Sequence, residues 1–307
     1  MTATWRIDVG DCRELLEGMD EGSVQTCVTS PPYFGLRDYG VDGQLGLEAT
    51  PDEFVEAMVA VFREVRRVLR DDGTLWLNLG DSYSGGANSG TTNGPPVRIQ
   101  NLPIKRGEGI KPKDLIGIPW MVAFALRADG WYLRSDIVWH KPNPMPESVT
   151  DRPTKAHEYL FLLSKQSRYF YDADAIREEG AGRLDLGRMK QPDARLGEGG
   201  AWVKDGTLRD EVGRNKRDVW TVATQPFAGA HFATFPPKLI EPCVLAGAPE
   251  GGVVLDPFAG AGTTGLVALR HDRSFVGLEL NPEYAEMARD RIRDDAPLLN
   301  TPSEVAA

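Results

Sequence analysis

The sequence has no long hydrophobic segment and no signal-peptide pattern. No stretch of about 18 residues is apolar throughout, so none has the length of a transmembrane helix. The first residues, MTATWRIDVGDC, lack the basic and apolar regions of a secretory signal. We therefore expect a cytoplasmic protein that has no membrane partner.

Cysteine and histidine are both sparse. The chain has three cysteines and four histidines, and none of them stands at the spacings typical of metal sites. They are Cys12, Cys27, Cys243, His140, His157, His231 and His271. The pattern predicts neither a structural metal nor a disulfide framework.

Positive charge is also in short supply, since the formal net charge is -10. Proteins that bind nucleic acids usually carry a basic surface. Residues 98–220, however, contain 22 Lys and Arg against 18 Asp and Glu, whereas the rest of the chain contains 13 against 27. A DNA-facing middle with an acidic back fits this distribution, and so does ordinary variation in surface charge.

The sequence does contain an alternation of apolar strands and amphipathic helices. Strand patterns occur at 24–30, 73–81, 253–256 and 274–280, and helix patterns at 53–70 and 263–270. Strands that alternate with helices favour a parallel sheet. We predict an α/β protein with a doubly wound, mostly parallel sheet.

Two long segments interrupt this alternation, and we expect them to be long, partly mobile loops. The first is about 84–113, and the second, about 178–217, is rich in Gly, Arg and Asp. The predicted organisation is a main domain formed by 1–175 and 226–295, an insertion at 176–225 and a flexible tail at 296–307.

A glycine-rich loop follows the strand at 253–256. The string DPFAGAGTTG, residues 256–265, lets the chain turn sharply and lets its backbone approach a ligand closely. Glu279 ends the next strand, where a carboxylate can accept hydrogen bonds from both hydroxyls of a ribose. The loop also fits the pattern GxGxxG, so an NAD-dependent oxidoreductase is an alternative.

Three strings resemble the motifs of one enzyme family. DPFAGAGTTG and VGLELNPEY, residues 276–284, are similar to the S-adenosylmethionine-binding motifs of amino-methylating DNA methyltransferases. TSPPY, residues 29–33, resembles their catalytic loop, which reads SPPY or DPPY. A catalytic loop that precedes the cofactor loop is typical of the β class. The resemblance covers most of residues 5–293 and implies a Rossmann-like fold, S-adenosylmethionine as cofactor and double-stranded DNA as partner.

The resemblance also assigns cofactor contacts. Phe258 is expected near the adenine, the backbone around Gly260 and Gly262 beside the methionine moiety, and Glu279 at the ribose. The full expected set is Asp11, Phe235, Asp256, Phe258, Gly260, Gly262, Thr263 and Glu279. Asp11 would match an acidic residue near the adenine, or it is an exposed turn residue before a helix.

Ser30, Pro31, Pro32 and Tyr33 are the expected catalytic loop. An exocyclic amine is a poor nucleophile because its lone pair is delocalised into the base. The Ser30 hydroxyl and the Pro31 carbonyl can accept its hydrogens and favour a tetrahedral nitrogen. Tyr33 is expected to stack on a base flipped out of the duplex. The string taken alone would also fit a surface polyproline II turn.

The insertion at 176–225 is the expected target-recognition region. Lys141 lies in the segment 136–165, which resembles the family's region between the catalytic loop and the recognition region, and is expected near the base pocket or at a phosphate. Arg214, Lys216 and Arg217 in the string RNKRDVW suit phosphate contacts, although a solvated run of charge has the same appearance.

These observations favour a site-specific DNA methyltransferase. SPPY tends to accompany methylation of the cytosine amine and DPPY that of the adenine amine, so we expect cytosine-N4 and keep adenine-N6 as the alternative. The sequence also leaves open the oxidoreductase, a DNA-binding module without activity and an RNA methyltransferase. A cognate restriction endonuclease and either a monomer or a homodimer are compatible with the sequence.

Overall fold

The computed structural model describes residues 3–84, 109–179, 213–225 and 235–295. Most of the predicted loop at 84–113, most of the predicted insertion at 176–225 and the predicted tail at 296–307 lie outside these ranges. None of the helices within them is long and apolar enough to cross a membrane.

The described residues form eight strands and six helices. The strands are β1 Trp5–Val9, β2 Val24–Thr29, β3 Leu69–Leu79, β4 Tyr132–His140, β5 His157–Ser164, β6 Val219–Thr221, β7 Val253–Asp256 and β8 Ser274–Glu279. The helices are α1 Cys12–Glu17, α2 Pro51–Val68, α3 Ile118–Ala128, α4 Pro237–Gly247, α5 Thr263–Arg270 and α6 Pro282–Asp295. Each segment predicted as a strand or helix forms that element, with small shifts at its ends.

All eight strands belong to one sheet with the order β1-β8-β7-β2-β3-β5-β4-β6. Only β5 is antiparallel to its two neighbours, β3 and β4, and the other pairs are parallel. The prediction of a mostly parallel sheet is therefore confirmed. Because of this order, the carboxyl ends of the parallel strands and the amino end of β5 meet at the same edge of the sheet.

The helices cover both faces of the sheet. Leu16 of α1, Phe54 of α2 and Val122 of α3 belong to one buried cluster, and Leu239 of α4 and Leu266 of α5 belong to another. Neighbouring residues of a strand point to opposite faces. Leu75 and Leu77 of β3 accordingly join the first cluster, whereas Trp76 between them joins the second. The sheet is thus doubly wound.

Helix α2 shows how local sequence sets these elements. The hydroxyl of Thr50 accepts a hydrogen bond from the backbone N–H of Glu53 at 3.2 Å and caps the helix. Pro51 follows at the first helical position, where its missing N–H costs nothing. The helix ends where the chain becomes extended at Leu69, so the last two residues of the predicted helix belong to strand β3.

Strand β6 corrects the boundary of the predicted insertion. Val219–Thr221 pairs in parallel with β4, and Trp220 is buried in the core. Further out, Glu178 and Arg214 exchange two backbone hydrogen bonds of 3.0 Å each. We call this pair the neck. The three residues of β6 were too short a pattern to predict a strand within a polar stretch. The neck brings together the residues that flank segment 180–212.

The Asp256 carboxylate lies at the end of β7, at the edge of the sheet where the carboxyl ends of the parallel strands meet. It is 1% exposed and accepts hydrogen bonds from the hydroxyls of Thr29 and Thr264, both at 2.6 Å, and from the N–H of Phe258 at 3.1 Å. Thr29 ends β2, and Thr264 lies in the first turn of α5. Burial raises the pKa of Asp256 from 3.8 to about 6, although these hydrogen bonds oppose the rise.

We predict that Asp256 makes stability fall as the pH rises from about 4 to about 6. Its pKa is higher in the folded chain than in the unfolded one, so folding takes up a proton in this window and the ionised form is the less stable one. Relative to Asp256→Asn, the wild type should lose roughly 2–3 kcal/mol of unfolding free energy between pH 4 and pH 7. Urea denaturation at several pH values measures this difference.

The matched control is Asp71→Asn, because that side chain is 83% exposed. Its unfolding free energy should follow the wild type throughout the pH range. A constant difference between the wild type and Asp256→Asn would contradict the prediction.

Candidate active site

A cleft opens at the carboxyl edge of the sheet, between β2, β7 and β8. Nine of the predicted site residues line it: Asp11, Ser30, Pro32, Phe235, Asp256, Phe258, Gly260, Thr263 and Glu279. The predicted catalytic and cofactor loops therefore face one space. Pro31, Tyr33 and Gly262 do not line it.

Gly260 and Glu279 form a polar corner of the cleft. Gly260 has a φ of +51°, and a Cβ built on it would meet nothing closer than 3.9 Å. Its N–H donates to Glu279 Oε2 at 2.8 Å, and the N–H of Asn281 donates to Oε1 at 2.9 Å. Burial raises the pKa of Glu279. Since a carboxylate has about four acceptor positions, Glu279 keeps capacity for hydroxyl groups of a ligand.

Gly262 has a packing role that the sequence did not indicate. It has a φ of +71° before helix α5, and a Cβ there would lie 2.9 Å from the Cβ of Ala288 in α6. Helix packing and the left-handed backbone therefore both favour glycine here, and its contact with the cofactor stays a prediction. The adjacent Thr263 hydroxyl accepts from the Arg291 guanidinium at 2.8 Å.

Asp11 also lines the cleft and caps helix α1. Its Oδ1 accepts from the N–H of Arg13 at 2.8 Å, and its carboxylate pairs with the Arg13 guanidinium. The hydrogen bond from that side chain lowers the pKa of Asp11. Tyr39 and Tyr284 meet edge to face in the same region, with ring centroids 6.4 Å apart. These aromatic rings line the cleft beside the carboxylate.

Tyr33 points away from the cleft into a network of hydrogen bonds. Its hydroxyl donates to Glu158 Oε2 at 2.8 Å and lies 3.1 Å from Asn78 Oδ1. The Ser30 hydroxyl lies 3.4 Å from the Tyr33 hydroxyl and 3.3 Å from Asn78 Oδ1. Burial and the nearby Glu158 carboxylate hold the pKa of Tyr33 well above its usual value. The stacking role of Tyr33 stays a prediction.

Lys141 is bound within the protein. Its ammonium pairs with Glu158 and lies 4.2 Å from the centre of the Trp139 ring, and only 18% of its side chain is exposed. Trp139 is buried and donates its indole N–H to the carbonyl of Val222 at 2.8 Å. Trp139 is therefore packed in the core. Because the Lys141 ammonium is already paired with Glu158, it is not a free cation for a phosphate.

The predicted DNA-binding residues near the neck are more exposed. Arg214 and Arg217 both pair with Glu178, at 3.0 and 2.9 Å, and their side chains are 44% and 66% exposed. The ammonium of Lys216 lies 4.9 Å from the centre of the Trp220 ring. Exposed ion pairs of this kind contribute little stability and exchange partners easily. Their phosphate contacts stay a prediction.

The sequence analysis missed Asn78, Gly80 and Glu158. Asn78 stands inside the apolar string LWLNL, and Glu158 begins the apolar string EYLFLL, where a polar group needs partners. A Cβ on Gly80 would overlap the Tyr33 ring, so only glycine fits there. A polar residue within an apolar strand is thus the signal from which Asn78 and Glu158 could have been predicted.

The cysteines near the cleft are poor nucleophiles. Burial raises the pKa of Cys12 to about 12 and that of Cys27 well above its usual value. Only the thiolate is strongly nucleophilic, so both groups stay unreactive at neutral pH.

Comparison with known proteins agrees with this geometry. The DNA methylase family with the label N6/N4 matches residues 24–290. The Type II methyltransferase M.Cfr9I of Citrobacter freundii is 50% identical over 290 residues, which are 93% of this chain and 87% of the relative. M.SmaI of Serratia marcescens, also a Type II methyltransferase, is 47% identical over 94% and 90%. These matches contradict the alternative of an NAD-dependent oxidoreductase.

Solved structures share the fold. TTHA0409 of Thermus thermophilus, described as a putative DNA modification methylase and solved with S-adenosyl-L-methionine, has a TM-score of 0.60 and 25% identity, over 96% of this chain and 97% of that one. PvuII DNA methyltransferase, which is cytosine-N4-specific, has a TM-score of 0.64 and 20% identity, over 96% and 92%. At that identity the second likeness concerns the fold alone. Because the family match spans most of the sequence and the relatives extend over nearly all of it, the chain belongs to the N6/N4 family of DNA methylases, the DNA methyltransferases that act on amino groups.

Proposed function

We propose that the protein transfers a methyl group from S-adenosylmethionine to the N4 amine of cytosine at a specific DNA sequence. The observation that carries this proposal is the single cleft that Ser30 shares with Gly260 and Glu279. An acceptor for an amine and a corner suited to a ribose face the same space there. Methyl transfer between two bound molecules requires this closeness.

The cleft suits S-adenosylmethionine chemically. Glu279 can accept hydrogen bonds from the ribose hydroxyls, and the open side of Gly260 leaves room beside the backbone. Phe258 and Tyr284 offer apolar surface for the adenine, and Phe235 also lines the cleft. When bound, S-adenosylmethionine supplies an electrophilic methyl group on a sulfonium ion.

The residues of the catalytic loop act on the target amine. The Ser30 hydroxyl accepts one amine hydrogen, and the Pro31 carbonyl accepts the other. The amine nitrogen then becomes tetrahedral and forms its bond to the methyl carbon, while the bond between that carbon and the sulfonium sulfur would break and leave its electron pair on sulfur. The proton that the nitrogen loses passes to solvent. The prolines keep the loop rigid, since each fixes φ and neither carries a competing N–H. Tyr33 would offer its ring to the flipped base.

Ser30 favours cytosine over adenine as the target. The family resemblance associates SPPY with the cytosine amine and DPPY with the adenine amine. A hydroxyl is a weaker acceptor than a carboxylate, so the size of the base pocket also contributes to the choice. Methylation of cytosine carbon-5 would need a thiolate, which burial of Cys12 and Cys27 disfavours.

Sequence recognition is assigned to segment 180–212, which lies outside the described residues. The neck pairs the residues on either side of this segment, and the exposed Arg214 and Arg217 follow it in the sequence. Phosphate contacts there would release counterions, so DNA binding should weaken as salt rises despite the acidic total charge. The Type II relatives suggest a cognate restriction endonuclease as the biological partner.

The two glycines of the cofactor loop provide a matched test. Gly260→Ala should reduce the affinity for S-adenosylmethionine at least about tenfold, because its Cβ occupies space beside the ligand, and the positive φ should cost about 1–2 kcal/mol of stability. Gly262→Ala should instead cost roughly 2–4 kcal/mol through the clash with Ala288, while the folded fraction still binds the cofactor. Calorimetry and urea denaturation measure both quantities. Full affinity in Gly260→Ala would remove that residue from the cofactor site.

Removal of residues 184–212 should separate recognition from cofactor binding. Residues 180–183 would then join Glu179 to Gly213 across the neck, where the chain ends already lie together. We expect unchanged affinity for S-adenosylmethionine and no sequence-specific methylation. If the shortened protein still methylates the same site at the normal rate, recognition is located elsewhere.

Nucleoside analysis decides the target base. DNA incubated with the enzyme and S-adenosylmethionine is digested to nucleosides and examined by mass spectrometry, and DNA incubated without the cofactor serves as control. We expect N4-methyldeoxycytidine. N6-methyldeoxyadenosine would contradict the choice of base but not the mechanism, whereas 5-methyldeoxycytidine would contradict both.

A further inference from the structure

A chain of polar groups leads from the Ser30 hydroxyl to a carboxylate outside the cleft. Ser30 contacts the Tyr33 hydroxyl and Asn78 Oδ1, and the Tyr33 hydroxyl contacts Glu158 Oε2. Tyr33, Asn78 and Glu158 do not line the cleft. Asn78 Nδ2 also donates a longer hydrogen bond to Glu158 Oε2, at 3.4 Å. Any effect of Glu158 on a ligand must therefore pass through Ser30, by way of Tyr33 or Asn78.

Glu158 sets the direction of the hydrogen bond with Tyr33. An ionised carboxylate can only accept, so the Tyr33 hydroxyl donates its single proton to it. Asn78 Oδ1 is the competing acceptor at 3.1 Å, but Glu158 Oε2 is closer, at 2.8 Å, and charged. The Tyr33 oxygen is thereby left as an acceptor toward Ser30.

Asn78 presents a second acceptor to Ser30. Its Nδ2 donates to the backbone carbonyl of Tyr159 at 3.0 Å, which turns Oδ1 toward the Ser30 hydroxyl. Asn78 is 1% exposed, so water does not compete for these contacts. The Tyr33 oxygen and Asn78 Oδ1 are thus both acceptors, and the Ser30 hydroxyl can donate its single proton to one of them.

Ser30 must therefore direct its proton into the network. Its lone pairs then remain for a group in the cleft. A target amine offers hydrogens and needs such an acceptor. If Ser30 instead directed its proton into the cleft, it would oppose an amine hydrogen.

Lys141 balances the charge of Glu158 in this partly buried place. The two side chains form an ion pair and are 18% and 16% exposed. Lys141 also lies over the Trp139 ring, which holds the ammonium on the side of Glu158 away from the hydroxyls. The two carboxylate oxygens thus have separate partners, Oε1 with Lys141 and Oε2 with Tyr33.

We propose that Glu158 is a positioning residue, which fixes the hydrogen-bond direction through Tyr33 so that Ser30 presents an acceptor to the target amine. This inference rests on the proposed function. It gives the Glu158–Lys141 pair a role in the rate of methyl transfer, and none in binding of DNA or cofactor.

Glu158→Gln tests the direction of the hydrogen bond with Tyr33 without changing the size of the side chain. An amide can donate to the Tyr33 hydroxyl as well as accept from it, so the Ser30 proton is no longer confined to the network. We expect kcat to fall roughly 10- to 100-fold, as for other losses of orientation, with KM for DNA within about twofold of the wild type. Glu158→Asp keeps the charge and should retain more activity than Glu158→Gln.

If Glu158 only filled space in the protein, the two variants would show the opposite order of activity. The isosteric Glu158→Gln would then be nearly as active as the wild type, and the shorter Glu158→Asp would be the weaker enzyme. Both variants are also made in the Tyr33→Phe background, where the connection to Ser30 through the Tyr33 hydroxyl is missing. Asn78 remains there, but its amide keeps its orientation through the shorter hydrogen bond to the carbonyl of Tyr159. There we expect either substitution to change kcat less than about twofold, and the Asp variant carries this comparison if the Gln variant does not fold.

Glu64→Gln is the control, because Glu64 is also in an ion pair, with Arg67, but lies on α2 and does not line the cleft. Its kcat should equal that of the wild type. Wild-type kcat in Glu158→Gln, or an equal loss with and without Tyr33, would overturn this inference while the proposed function stands. A wild-type protein that methylates no DNA amine would instead overturn the proposed function.

Discussion

The Asp256 carboxylate is buried between β2 and β7, where two threonine hydroxyls and a backbone N–H bind it. A buried charge is very costly without such partners, so their positions are tightly constrained. Thr29 leads directly into the catalytic loop, and Thr264 follows the cofactor loop. The separation of the two loops therefore depends on one group, and movement of either loop would leave a charged oxygen without its donor.

Strand order supplies the remaining part of the site. Because β5 runs against its neighbours, its amino end lies at the edge where the parallel strands have their carboxyl ends. Glu158 is the second residue of β5 and reaches Tyr33 from there. A strand in the usual orientation would place its first residues at the opposite edge. The reversal thus brings a carboxylate to the back of the catalytic loop.

The parts of the structure that the sequence predicted are local ones. The turn at Gly260, the strand before it and the helix after it are all encoded within residues 253–270. The contact of Tyr33 with Glu158 joins positions 125 residues apart and depends on which strands are neighbours. The packing of Gly262 against Ala288 was not predicted, because a glycine needed for helix packing and one needed by a ligand have the same appearance in a sequence. The three residues of β6 were too short a pattern to detect.

The neck at Glu178 and Arg214 also affects how this chain tolerates change in length. Its two hydrogen bonds join the residues that flank segment 180–212, and neither bond involves a residue of that segment. For a closed loop, a doubling of length costs only about 0.6 kcal/mol of entropy. A shorter, longer or unrelated segment could therefore be exchanged between these two residues by recombination, with little thermodynamic effect on the sheet that carries the cleft.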